Sequence, residues 1–169
     1  MVKKKVQSVV ELEKNRVSVI RTIAVREKSY WNKGKCFYCP EDAVDFAEPM
    51  FENADKEYLV ACCLDGKSQP VSMEVVAVGM VNQCLVGMRE VFKNAILSNA
   101  VSIIIFHNHP SGDSHPSSSD FEISKKLRQA GTLLGIEVLD HIVLGDEEFH
   151  SIANMLNWDS WKENNVIIA

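Results

Sequence analysis

The sequence predicts an α/β fold: a three-layer-like sandwich with helices packed around a mixed β-sheet. Three observations lead there. Short β-branched apolar runs recur at strand length, they alternate with stretches of helical periodicity, and two pairs of runs are joined by Asp-Gly or Gly-Asp-Glu-Glu turn signals. At 169 residues there is room for one domain with a sizeable core and little for a second. The reading divides the chain into a lead-in at 1–38 belonging to the same unit, a principal domain at 39–152, and a tail at 153–169 with no assignment.

Taken in order, residues 1–15 are polar and charged, and residues 16–25 (RVSVIRTIAV) have the β-branched content of a strand. A helix is expected from Pro40, which suits the first helical position, with Glu41 and Asp42 at the positive end of its dipole. Pro49 should end or kink it. Residues 57–64 (EYLVACCL) form an apolar strand closed by Asp65-Gly66, with 71–78 as its antiparallel partner. Residues 89–100 put Val91, Phe92, Ala95 and Ile96 at helical spacing, and 101–106 (VSIIIF) read as a buried strand. A second helix is expected over 118–131, ending at Gly131 or just beyond. Residues 136–144 and 149–152 close the sheet as a hairpin.

The bulk properties narrow the function. The hydrophobic share of 46% and charged share of 24% are those of a soluble globular chain. No apolar run is long enough to span a bilayer, and the basic start is interrupted before any signal-peptide core develops. Five cysteines without framework spacing fit a reducing cytoplasm. The net charge of −5 gives no support to general DNA binding, which runs on clustered Lys and Arg. Lys125, Lys126 and Arg128 are the nearest thing to a basic face, and on a helix such a group is usually the solvated side.

The chemistry is concentrated between residues 107 and 120. His107 and His109 follow the buried strand at i and i+2, so both side chains point to one face. Asp120 opens the next helix, and the intervening loop can fold its carboxylate back. Two His and one Asp leave a tetrahedral Zn²⁺ one open position, the arrangement of a catalytic site. The metal would lower the pKa of water towards ~7 and polarise a carbonyl. A carboxylate outside the ligand set is then needed to move the proton. Plainer readings exist. A lone His-x-His is often structural, Ser117-x-x-Asp120 is a good capping box, and Pro110 with Gly112 can simply shape a turn. The joint pattern favours the metal.

At these residues the sequence resembles the JAMM (MPN+ or JAB) metalloprotease motif: an upstream Glu, then His-x-His-Pro, then Ser-x-x-Asp. Within that superfamily it is similar to the RadC branch through HNHPSGD (107–113), PSSSD (116–120), LLGIEVLDHIVLGD (133–146), MREVFKNAI (88–96) and the strand at 57–65. The likeness runs from about Cys39 to Ser151. It implies a JAMM/MPN, cytidine-deaminase-like architecture, one Zn²⁺ per chain held by His107, His109 and Asp120, and hydrolysis of peptide or isopeptide bonds. Ser117 would hydrogen-bond the attacking water or the tetrahedral oxyanion. The motif's Glu matches Glu57, with Glu74 as its rival. The branch's name carries a link to DNA repair. Its members usually have Pro where this chain has Met88. Longer members carry an N-terminal helical region associated with DNA binding, for which residues 1–38 are short, so a short form without that region is expected.

Other residues are read more plainly. Cys36 and Cys39 form a lone Cys-x-x-Cys with no second pair, and Cys62 and Cys63 lie inside an apolar strand, so all four are taken as incidental thiols. His115 is an exposed loop histidine, a spare ligand or a substrate contact. Asp140-His141 is either a pair that orients the site or a satisfied core histidine with its neighbour. Arg89 and Glu90 open a helix, and Trp31, Trp158 and Trp161 pack or lie at an interface. Open sheet edges make a homodimer plausible. Two competing functions are a non-catalytic MPN-like scaffold and a DNA-associated metal nuclease. A zinc deaminase is set aside because its His-x-Glu and Pro-Cys-x-x-Cys pattern is missing.

Overall fold

The computed structural model describes residues 19–25, 29, 34–79 and 86–161. The first helix, α1 (Pro40–Ala47), starts on its proline and tightens into a 3₁₀ turn, Glu48–Met50, at Pro49. Then follow β1 (Tyr58–Leu64), β2 (Pro70–Val78), α2 (Met88–Leu97), β3 (Ser102–Asn108), α3 (Ser118–Leu134), β4 (Glu137–Leu144), β5 (Phe149–Ser151) and the short α4 (Ile152–Met155).

The strands form one mixed sheet in the order β2-β1-β3-β4-β5. β1 runs antiparallel to β2 and β3, β3 and β4 are parallel, and β5 returns antiparallel to β4. A parallel pair cannot be joined by a tight turn. The connection from β3 to β4 is therefore a crossover through the loop at 109–117 and α3, and that loop lies at the carboxyl end of β3.

Both faces of the central strands are covered, which is why they read as unbroken apolar runs. Leu59, Ala61 and Cys63 of β1, with Ile103 and Ile105 of β3, pack against Val91 and Phe92 of α2 and Ile123 and Leu127 of α3. The alternate residues Val60, Cys62, Leu64, Ile104 and Phe106 pack on the other face with Ala43 and Ala47 of α1. The three-layer α/β expectation holds.

Some boundaries differ from the sequence reading. Residues 19–25 form no strand and are exposed; β-branched content yields a strand only where an edge is available to pair with, and residues 16–18 lie outside the described set. α3 continues past Gly131 to Leu134. Its stop is Gly135, at φ 68, with Ile136 N bonded to Gly131 O at 3.0 Å and Gly135 N to Thr132 O at 3.4 Å, a Schellman ending. Gly131 is needed for closeness instead: a Cβ there would lie 2.4 Å from Ile136 O. The strand expected to reach Ile152 stops at Ser151, where Ser151 Oγ caps α4. Beyond it, Ala153 and Trp158 are buried in the core.

Candidate metal centre

His107 ends up where it does because β3 enters the core with alternating faces. It is level with Leu59 across the β1 pairing and so points toward α3, fully buried at 1% exposure. His109 lies just past the strand and is pinned by its N–H to Leu144 O at 2.9 Å. From there the chain turns: Gly112 N donates to His109 O at 2.9 Å, and Gly112 adopts φ 82, a conformation glycine adopts without strain. Asp146 N reaches back to Gly112 O at 3.0 Å, which docks the loop onto the β4–β5 turn.

Asp120 is delivered by the start of α3. Ser117 is the N-cap and Asp120 the third helical residue, in a complete capping box. Ser117 N and Ser117 Oγ both donate to Asp120 Oδ2, each at 2.6 Å. One carboxylate thus completes the cap of α3 and also stands beside both histidines. Its Oδ1 stands 3.6 Å from His107 Nε2, and Oδ2 stands 3.8 Å from His109 Nε2. The two Nε2 atoms are 2.9 Å apart.

The donor set fits a divalent metal. One ligand atom from each of His107, His109 and Asp120 falls within 4.8 Å of the others, and a tetrahedral zinc with bonds of about 2.0–2.1 Å has ligand atoms about 3.3 Å apart. His109 Nδ1 lies 2.7 Å from Asp113 O. A carbonyl only accepts, so this nitrogen carries a proton, and Nε2 is the atom His109 would offer to a metal. Burial holds His107 down to about 4, and the attraction of Asp120 only partly offsets it; the ring is neutral, as a ligand must be.

The structure places the other candidate residues more variously. Glu57 directly precedes β1, in which Leu59 is level with His107. Asn108 clamps this end: its Oδ1 accepts from Tyr58 N at 2.8 Å and its Nδ2 donates to Lys56 O at 3.0 Å, on either side of Glu57. Glu74 is elsewhere. It pairs with Ala61, which is level with Ile105, and its carboxylate is 3.3 Å from Lys93 Nζ. His115 is exposed, bonded to Asp113 Oδ1 at 2.8 Å and stacked on His150 at 4.4 Å. Cys36, Cys39, Cys62 and Cys63 are free thiols. Lys125, Lys126 and Arg128 are exposed, with the Arg128 guanidinium 4.7 Å from the Trp158 ring. Trp31 lies outside the described residues.

Asp140 and His141 part company. Asp140 turns to the end of the fold, accepting from Ser151 Oγ (2.6 Å), Ala153 N (2.9 Å) and Trp161 Nε1 (2.8 Å). His141 turns to the metal centre, with Nε2 2.7 Å from His107 Nδ1 and Nδ1 2.6 Å from Ser124 Oγ. Neither Ser124 nor Asn108 stands out in the sequence. The available signals were that Ser124 lies four residues after Asp120, on the same helix face, and that Asn108 sits between the histidines on the opposite face of the strand.

A groove of about 600 Å³ borders the site, with His109, Asn108 and Pro110 in its wall. It runs between the 44–54 segment and the β4–β5 turn. Its lining includes Glu48, Glu52, Asp146, Glu147 and Glu148, and no Lys or Arg among the described residues. No helix among the described residues is long and apolar enough to cross a membrane.

Comparison with known proteins agrees with this arrangement. A family model described as the RadC-like JAB domain matches residues 37–157. The chain is 36% identical over 149 residues to a UPF0758 protein of Methanosarcina barkeri, covering 88% of this chain and 65% of that one. It is 42% identical over 114 residues to a UPF0758 protein of Desulforamulus reducens, covering 68% and 50%. A third, from Geobacillus thermodenitrificans, is 39% identical over 125 residues, covering 74% and 55%. The chain therefore spans about half to two-thirds of the length of these relatives. Because the match takes in every strand of the sheet and all three candidate ligands, the chain belongs to the RadC-like JAB domain family.

Proposed function

We propose that this chain is a zinc-dependent hydrolase of amide bonds, a metallopeptidase or isopeptidase. The observation that carries the proposal is the convergence of His107 Nε2, His109 Nε2 and the Asp120 carboxylate within 4.8 Å, beside an open groove that His109 lines. When bound, the ion supplies a water of lowered pKa and a polarised scissile carbonyl. Glu57, next to the start of β1 and outside the ligand set, takes the proton from the attacking water and passes it to the leaving amine. Ser117 Oγ, which holds Asp120, turns to the developing oxyanion. The free cysteines support a reducing compartment, the cytoplasm.

The groove supports the substrate class. A volume of about 600 Å³ is within the usual range for a ligand cleft, and a lining that mixes Val44, Phe51, Leu144 and Phe149 with carboxylates suits an extended peptide segment. Its carboxylates favour Lys or Arg beside the scissile bond.

Elemental analysis and peptide hydrolysis test the reading together. About one zinc per wild-type chain is expected, lost in a His107→Ala, His109→Ala double variant. Glu57→Gln should keep the zinc and lose about 10²–10⁴-fold in turnover. If wild-type protein takes up no metal even with Zn²⁺ added, the hydrolase reading fails and a scaffold role replaces it. Zinc binding with turnover unchanged in Glu57→Gln removes Glu57 as the base.

A further inference from the structure

We propose that His141 and Ser124 are positioning residues for the metal centre, which hold His107 in the one tautomer that can ligate. The proposal rests on the metal reading above and adds to it two residues outside the ligand set. The Asp120 carbonyl oxygen fixes the first direction. Ser124 Oγ lies 2.5 Å from Asp120 O, and a carbonyl can only accept, so the serine hydroxyl gives its proton there. What remains on Ser124 Oγ is lone pairs. His141 Nδ1, at 2.6 Å, must therefore be the donor in that contact.

A neutral imidazole has a single N–H. With Nδ1 protonated, His141 Nε2 is bare and can only accept. Its partner at 2.7 Å is His107 Nδ1, so His107 carries its proton on Nδ1 and its Nε2 is bare toward His109 and Asp120. Burial favours the neutral form of both rings: His107 is at 1% exposure and His141 at 0%. The chain of bonds thus begins on the main chain of one candidate ligand and ends on the ring of another, and with both rings neutral each direction in it follows from the one before.

Geometry beyond hydrogen bonding supports the same assignment. β4 carries an extra residue, Leu139, where the pairing passes from Ile103–Val138 to Ile104–Asp140. A bulge reverses which face later residues present, and here it brings His141 to the α3 side that Val138 also faces. Ser124 reaches it from α3 because it stands one turn beyond Asp120. Two elements are thereby tied to β3 at the metal end. The acceptor for His107 is a neutral ring, which keeps a further negative charge out of the buried core. Such partners of metal-bound histidines typically change metal affinity by about 10–100-fold.

Two measurements test the assignment. In metal-free wild-type protein, long-range ¹H–¹⁵N imidazole spectra should show His107 and His141 both in the Nδ1–H form; an Nε2–H form at His107 overturns the proposal. Zinc affinity is then measured by competition with a chromophoric chelator, with the visible spectrum of the Co²⁺-substituted protein as a report on ligand geometry. His141→Phe should weaken zinc binding about 10–100-fold and alter the Co²⁺ bands, while His141→Gln, whose carbonyl can accept from His107, should restore both to within a few-fold. A folded His141→Phe protein with wild-type affinity and spectrum overturns the proposal. If that variant does not fold, Ser124→Ala decides: weakened binding supports the relay, and unchanged binding overturns it. Failure of wild-type protein to bind zinc at all sinks the metal reading itself, an outcome separate from these.

Discussion

Ser117 and Asp120 hold one another at the start of α3. Ser117 Oγ lies 2.6 Å from Asp120 Oδ2, and Asp120 N donates back to Ser117 Oγ at 3.3 Å. The same carboxylate keeps Oδ1 facing His107 at 3.6 Å. A capping interaction worth about 1 kcal/mol thus also sets the orientation of a candidate ligand.

Ser117→Ala should remove both effects. In metal-free protein the lost cap is expected to cost about 0.5–2 kcal/mol, which for a chain of this size lowers Tm by roughly 2–4 °C per kcal/mol. With zinc bound the fall should be larger, because the loaded state also needs Asp120 oriented. Thermal melts with and without zinc check this. Equal falls in both would make Ser117 a cap and nothing more.

Acid should destabilise the metal-free chain through its buried histidines. Burial lowers His107 to about 4 and puts His141 well below 6.5, so between about pH 4 and 6.5 the unfolded chain binds more protons than the folded one. The stability supported by the neutral rings is complete above 6.5 and is lost as pH falls towards 4, by up to about 1.4 kcal/mol per pH unit for each proton. Asp140, raised by burial, acts with the opposite sign just above its ordinary 3.8. The expected result is a lower Tm at pH 5 than at pH 7 in the presence of chelator. A higher Tm at pH 5 would contradict the burial of these rings in neutral form.

Gly145 should tolerate no side chain. A Cβ there would lie 2.4 Å from Gly112 O and 2.8 Å from Ser114 N, both main-chain atoms. Gly145→Ala is expected to cost about 1–3 kcal/mol and to weaken zinc binding, since the displaced loop carries the Asp113 carbonyl that sets the His109 tautomer. Denaturant unfolding and zinc titration on the same variant test the two effects. Wild-type zinc affinity in a destabilised Gly145→Ala would separate the loop from the site.

Charge reversal in the groove should change substrate preference. Glu147→Lys with Glu148→Lys is expected to lower turnover of Lys- or Arg-containing peptides relative to Glu-containing ones on the order of tenfold at low salt, and by less at high salt, because exposed charges are screened. The ratio of kcat/KM for matched basic and acidic peptides measures it. A ratio unmoved by the double variant would exclude the groove as the substrate path.

Much of this was legible locally. The period-2 placement of His107 and His109, the Ser117–Asp120 box, the Asp65-Gly66 hairpin and the unbroken apolar run of β3 each depend on residues close in the chain, and each stands in the structure as the sequence implied. Local pattern erred where it lacked a partner or a neighbour. Residues 16–25 have the composition of a strand, yet 19–25 meet no edge. Gly131 has the look of a helix stop, yet it serves the close approach of Ile136 O while Gly135 ends the helix.

By itself, then, the sequence determined the candidate ligand types, their shared face and the cap that orients Asp120, because strand alternation and helix capping act over two to four residues. Only the tertiary structure decided what surrounds them. The placement of Glu74 beside Lys93 turns on pairing with β1, and the arrival of His141 beside His107 turns on a single bulged residue, Leu139, in β4. Strand pairing has a period of two, so one inserted residue exchanges the faces, and that parity is set by contacts between strands far apart in the chain.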